Sequence, residues 1–236
     1  MLVKKLRENL AYLHRLYTKT IEKSLSEIFD NYDEYHKEMQ VGNVIRANVF
    51  LRWIEEGSSI LDIGCADGLI ALYMMKQKDL KVVGIDVAED MVQMARKKGV
   101  EAYTMDLNVP FNINEKYDYI IMSEVIEHLI FPHKVLKEML KVARKGVIIS
   151  FPNAAWLPYR IQLLRGYSPR QSFTHLHAWS HPDFILFCKE IGAQIIDFRQ
   201  THTADEPDVL LQKLLIKINP NLFAHQLYYL LRGKAV

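Results

Sequence analysis

Three carboxylates recur at comparable places in a repeating pattern. Asp62 interrupts the apolar run Ile60-Leu61-Asp62-Ile63, Asp86 closes Lys81-Val82-Val83-Gly84-Ile85-Asp86, and Asp106 follows Glu101-Ala102-Tyr103-Thr104-Met105. The first run leads into the turn Gly64-Cys65-Ala66-Asp67-Gly68. Glycines in such a turn let a ligand approach the backbone closely. A turn that opens a helix also offers unpaired N–H groups. A carboxylate about twenty residues further on suits bidentate hydrogen bonding to two ribose hydroxyls. One after the next strand can accept from an adenine amino group. The set predicts an adenosyl ligand held by Asp62, Gly64, Cys65, Ala66, Asp67 and Gly68, by Asp86 with Val87, by Asp106 with Leu107, and by Ser123 at the next strand tip.

A second cluster follows at once: Ser123-Glu124-Val125-Ile126-Glu127-His128. On a helical turn, residues three and four apart share a face. Two carboxylates and an imidazole there can hold a divalent cation, with His175 as a fourth ligand from a later segment. Hard oxygen donors with imidazole suit magnesium or manganese, or zinc. The alternatives are that His128 and Glu127 act as base or substrate-positioning groups, or that the cluster only shapes a loop.

These residues need a scaffold that brings strand tips together. Short apolar strands at 60–63, 81–86, 101–105, 117–122, 146–151 and 193–198 alternate with helical patterns at 67–77, 88–98, 132–143 and 181–191. That alternation predicts an α/β fold, a doubly wound and mostly parallel sheet covered on both faces. A helix near 207–218 precedes a last strand over 223–231, expected to return antiparallel beside the sixth. Residues 1–56 read as an amino-terminal helical segment, with helices over 1–29 and 39–55. It is a candidate lid, with Tyr32 and Tyr35 as its aromatics. Residues 57–236 form the main domain, interrupted at 154–179 by an insertion rich in Trp, Pro, Arg and His.

The chain has 236 residues, half of them hydrophobic, and a formal net charge of +2. That is ample material for one core. It points to no polyelectrolyte partner, and no basic stripe with interleaved aromatics argues for nucleic acid. Two cysteines, Cys65 and Cys188, make no disulfide framework, and a reducing cytoplasm is the expected compartment. No apolar run is long enough to span a bilayer. At most Leu210, Leu211, Leu214 and Leu215, with Lys213 and Lys217, would graze a membrane surface.

The turn separates two adenosyl ligands. A dinucleotide turn wants G-x-G-x-x-G with a small third position, where this chain has Leu69. Asp67 would also face a pyrophosphate. S-adenosylmethionine has no phosphate and carries an ammonium and a sulfonium, so acids near the turn favour it. Ile60 through Gly68 resembles the first motif of class I S-adenosylmethionine-dependent methyltransferases, with Ala66 in place of the usual second glycine. Gly84-Ile85-Asp86, Met105-Asp106-Leu107 and Tyr117-Asp118-Tyr119-Ile120 are similar to the later strand motifs of that family. The resemblance covers about residues 55–232 and implies a seven-stranded sheet with the last strand antiparallel. Ser150-Phe151-Pro152-Asn153 and Trp156 through Gly166 resemble the MetW group more loosely, and the Glu-x-x-Glu-His pattern is a departure from it. That pattern resembles small-RNA 2′-O-methyltransferases and ubiquinone-pathway O-methyltransferases, in which a metal assists.

The resulting expectation is methyl transfer to a small-molecule or lipid-like acceptor, at oxygen. No Asp/Asn-Pro-Pro-Tyr motif of amino methylation ends the fourth strand. The aromatic and leucine residues Trp156, Tyr159, Leu163, Leu164, Phe173 and Trp179 are the candidate acceptor lining. A different class of function is also open, a cofactor-binding partner of a biosynthetic enzyme. A nicotinamide oxidoreductase is the third. Oligomeric state is not written in the sequence.

Overall fold

The computed structural model describes residues 34–167, 174–201 and 209–233, and the side chains of all of these but 34–40 and 209–213. Tyr32 and Phe173, and residues 1–33 of the lid expected over 1–56, lie outside what is described, as does the side chain of Tyr35. So do the side chains of Leu210, Leu211 and Lys213.

Helix α1, Glu34–Phe50, comes first. Then β1 (Ser59–Ile63), α2 (Leu69–Gln77), β2 (Lys81–Asp86), α3 (Glu89–Lys97), β3 (Glu101–Thr104) and β4 (Tyr117–Ser123) alternate. A 3₁₀ turn, Ile126–His128, leads to α4 (Pro132–Val142), which runs directly into β5 (Ala143–Pro152). The remaining elements are α5 (Leu157–Leu164), α6 (His181–Ile191), β6 (Ala193–Thr201), α7 (Val209–Ile218), the short α8 (Pro220–Phe223) and β7 (Gln226–Gly233).

The seven strands lie in the order β3-β2-β1-β4-β5-β7-β6. Strands β1 to β5 pair in parallel, and β7 is antiparallel to both its neighbours. The expected seven-stranded, mostly parallel sheet with an antiparallel last strand is the observed one. Side chains alternate across the pleat, so adjacent residues feed opposite cores. Ile60, Tyr119, Ile121, Ile148 and Tyr228 pack under α1, α2 and α3. Leu61, Ile120, Ile149, Phe151 and Tyr229 pack under α4, α6 and α7. Burial on both faces is what makes the parallel strands nearly continuous apolar runs.

Three boundaries and one added helix stand out against the sequence expectation. The helix expected over 39–55 ends at Phe50, because the carbonyls of Leu51 and Ile54 turn to the Lys78 amine instead of a further helical turn. Strand β5 begins at Ala143 rather than 146, and its charged end is tied by a Lys145–Glu55 pair at 2.6 Å. The last strand starts at Gln226, after Pro220 and the Asn219 cap have formed α8. The insertion contains a helix, α5, that the sequence pattern did not announce. Its apolar residues fall on two sides of the axis, Leu157, Ile161 and Leu164 on one and Tyr159 and Leu163 on the other, and only Tyr159 is buried.

Candidate functional site

The carboxyl ends of β1, β2, β3 and β4 lie side by side, in register through Asp62↔Gly84 and Asp86↔Thr104. Past β1 the chain turns with Gly64 at φ 68°, Ala66 at φ 46° and Gly68 at φ 79°. Left-handed backbone explains the two glycines, and close packing adds a second reason. A Cβ on Gly64 would lie 2.3 Å from Val125 Cγ2, and one on Gly68 2.9 Å from Val100 Cγ2. The neighbouring strand obeys the same limit, since a Cβ on Gly84 would stand 2.6 Å from Cys65 Sγ.

Asp86 organises this turn. Its Oδ2 accepts from the Ala66 N–H and its Oδ1 from the Ala88 N–H, each at 2.9 Å. Asp106 Oδ1 accepts from the Asn108 N–H at 2.8 Å, and Asn108 Oδ1 accepts from the Ile130 N–H at 2.9 Å. The loops after β3 and β4 are thereby joined. Between them opens a cleft of about 240 Å³, lined by Ile63, Gly64, Ile85, Asp86, Val87, Met105, Asp106, Leu107, Asn108, Glu124, Val125, His128 and Leu129. Ligand clefts commonly begin at roughly 300 Å³.

Of the residues expected to hold a cofactor, Gly64, Asp86, Val87, Asp106 and Leu107 line this cleft. The others support it or lie aside. Asp62 is 2% exposed, and its Oδ2 has no hydrogen-bond partner among the described residues. Burial, then the Asp86 charge, pushes its carboxyl up to about 7. Asp67 is ion-paired with Lys98 on the far side of the turn. Cys65 is buried, and burial ahead of the Asp62 and Asp86 charges pushes its thiol up to about 12. It is a packing residue with no thiolate to offer. Ser123 hydroxyl meets that of Ser150 at 3.1 Å.

The acidic cluster splits in two. Glu124 adopts φ 57°. Its Oε1 accepts from the Ser150 hydroxyl and its Oε2 from Gln226 Nε2, each at 3.2 Å. Burial raises its carboxyl, opposed by the Arg46 charge from α1 and by those two bonds. Glu127 is 2% exposed, and neither of its carboxylate oxygens has a hydrogen-bond partner among the described residues. Burial first, then the Glu124 charge, pushes it well above the usual carboxylate range. The insertion folds back here, with the Leu176 and His177 N–H groups donating to the Glu127 carbonyl at 2.8 and 3.1 Å. That return sets His175 against His128, ring centroids 4.7 Å apart. One ligand atom each from Glu127, His128 and His175 lies within 4.8 Å of the others. Three of the four expected metal ligands converge; Glu124 does not join that group, because Ser150 and Gln226 hold it. His128 Nδ1 lies 3.1 Å from the Thr174 carbonyl, which assigns the proton to Nδ1 and leaves Nε2 as the lone-pair nitrogen.

Sequence reasoning missed Asn108, Ser150, Gln226 and Arg46. Ser150 was legible in principle, since β5 places it beside Ser123. Gln226 and Arg46 reach the site from opposite ends of the chain, with no local pattern to announce them.

A parallel sheet ending in this turn, with carboxylates at successive strand tips, is the fold of the class I S-adenosylmethionine-dependent methyltransferases. Within that class the chain belongs to the family of the methionine biosynthesis protein MetW, whose model matches residues 46–231. Among curated relatives, the bifunctional methionine biosynthesis protein MetXA/MetW of Rhodopirellula baltica is 31% identical over 131 residues, 51% of this chain and 21% of that protein. A probable tRNA methyltransferase 9B of Homo sapiens is 31% identical over 118 residues, 50% of this chain and 25% of that protein. The matched region thus spans a quarter or less of either relative. Among solved structures, the magnesium protoporphyrin IX methyltransferase of Synechocystis PCC 6803, crystallised with bound SAH, superposes with a TM-score of 0.63 at 16% identity, covering 94% of this chain and 99% of that one. The likeness is one of fold.

Proposed function

We propose that this chain transfers the methyl group of S-adenosylmethionine to an oxygen of a small or lipid-like acceptor. The observation that carries the reading is the shared cleft. Gly64, Asp86 and Asp106 line it at one side and Glu124 and His128 at the other. Cofactor grip and acid–base chemistry therefore meet in one space. The residues fit the cofactor: Asp86 retains lone pairs for ribose hydroxyls beyond those given to Ala66 and Ala88. The apolar Val87, Met105 and Leu107 suit a purine, and the acids suit a cationic amino-acid tail.

When bound, S-adenosylmethionine supplies a methyl group already activated by its sulfonium, so alignment and water exclusion are the main demands on the protein. His128 Nε2 takes the proton that the acceptor hydroxyl releases as its oxygen bonds to carbon. The Thr174 carbonyl holds the ring for that task. A positive charge forming on that ring would draw the Glu127 carboxyl back toward its ionised form. Leu129 and Val125 close the cleft from the side of β4.

Glu127, His128 and His175 are the residues that would hold a divalent cation. One carboxylate and two imidazoles suit manganese or zinc better than magnesium. A cation there would lower the pKa of an acceptor hydroxyl.

The test is calorimetry with S-adenosylhomocysteine, followed by turnover of S-adenosylmethionine against a panel of hydroxylated acceptors. Binding with product formation supports the reading. Binding without turnover on any acceptor favours a second one, a cofactor-binding partner of a biosynthetic enzyme. The MetW family match and the fused architecture named in the Rhodopirellula relative support that alternative.

A further inference from the structure

From Met139 to Pro182 the chain contains no aspartate or glutamate, yet it carries Lys141, Arg144, Lys145, Arg160, Arg165 and Arg170. Helix α5 lies inside this acid-free stretch and is unusual in its exposure. Tyr159 anchors it, with its hydroxyl 3.2 Å from His225 Nε2. At about 100° per residue, Leu157, Ile161 and Leu164 form a stripe on the side away from Tyr159. They are 37%, 42% and 88% exposed. Arg160 and Arg165 fall on the two flanks of that stripe, both exposed. Arg160 Nε donates to the Ala155 carbonyl at 2.7 Å.

Isolated exposed leucines need no explanation, but a contiguous apolar ridge does. This one lies on a helix of which only Tyr159 is buried, and Arg160 and Arg165 border it in a stretch of sequence without acids. We propose that α5 docks the protein on an anionic lipid surface, its leucine ridge entering the headgroup boundary and its two arginines meeting lipid phosphates. Charge complementarity selects this occupant: interfacial helices combine an apolar face with flanking basic residues, and anionic leaflets attract such residues. The surface differs from the α7 stretch singled out in the sequence, and it stands independently of the reaction proposed above.

The test uses the full chain and vesicles of phosphatidylcholine alone or mixed equally with phosphatidylglycerol. The expected result is cosedimentation with the phosphatidylglycerol vesicles, weakened by added salt, and weaker by roughly tenfold or more on phosphatidylcholine alone. The pair Ile161→Ser with Leu164→Ser should lose a similar factor. Arg160→Gln with Arg165→Gln should remove the headgroup preference. Both variants should keep the wild-type circular dichroism and melting temperature, since neither pair is buried. Where a variant misfolds, the salt and headgroup dependence of the wild type still decides. Absence of binding to phosphatidylglycerol vesicles overturns the proposal, as does equal binding by both folded variants. So does an α5-dependent dimer in sedimentation velocity, which would make the ridge a protein interface.

Discussion

Asp86, in the cleft lining, holds Ala66 of the first turn, its Oδ2 accepting the Ala66 N–H at 2.9 Å. This bond holds the left-handed Ala66 in place and ties the first turn to the second strand. The same carboxylate is the candidate ribose ligand, so Asp86→Ala removes a ligand contact and a turn restraint together. Affinity for S-adenosylhomocysteine should fall by about 1–3 kcal/mol, roughly 5- to 150-fold. Calorimetry checks this, and an unchanged affinity would place the ribose elsewhere.

Gly64→Ala should destabilise the fold without any ligand present. The new Cβ meets Val125 Cγ2 and must also adopt φ 68°. Overpacking and backbone strain each cost roughly 1–3 kcal/mol. Adding Val125→Ala should recover only the packing share. Urea denaturation of the single and double variants separates the two contributions. Full recovery in the double variant would show that the backbone angle costs nothing.

Asp62 gives stability a definite pH dependence. Its carboxyl is raised to about 7 in the fold and titrates near about 3.9 in an unfolded chain. The native state therefore binds more protons between those values. The stability it contributes is present below about pH 4 and is lost as pH rises through about 7. His225, lowered to about 4 by burial and then by the Arg46 charge, acts with the opposite sign. The readable quantity is thus the difference between Asp62→Asn and wild type. The variant should gain on wild type from pH 5 to pH 8 by roughly 2–4 kcal/mol. A flat difference would mean that Asp62 stays ionised throughout.

The cation reading divides the acidic cluster. His175→Ala and Glu127→Gln should each weaken binding of manganese or zinc by roughly tenfold or more, since each removes one of three donors. Glu124→Gln should leave it within about threefold. Metal titration followed by equilibrium dialysis distinguishes these outcomes, with no acceptor needed. Equal losses for Glu124→Gln and Glu127→Gln would return Glu124 to the ligand set.

Most of the scaffold is readable from local pattern. Asp62, Asp86 and Asp106 announce themselves because each stands within or at the end of a strand pattern, and such patterns form the strands of a two-sided parallel sheet. What stayed hidden depends on distance along the chain. Gln226 reaches Glu124 across 102 residues, and no spacing rule predicts it. The left-handed backbone at Glu124 breaks the helical spacing from which a four-ligand set was expected, so Glu124 faces Ser150 while Glu127 turns inward. Asp67 reads as a ligand from its place in the turn. Only the fold reveals that Lys98 lies within reach of it.

One feature of the sheet bears on how the chain comes to be assembled. Among the described strands, β6 pairs with the sheet only through β7, which lies between it and β5. As the polypeptide is made from its amino end, residues 193–201 emerge before the strand they must pair with. Until 226–233 have followed, one edge of β5 and both edges of β6 stand open to wrong partners. The final strand thus acts as a keystone: loss of that one segment would strip two strands from the sheet.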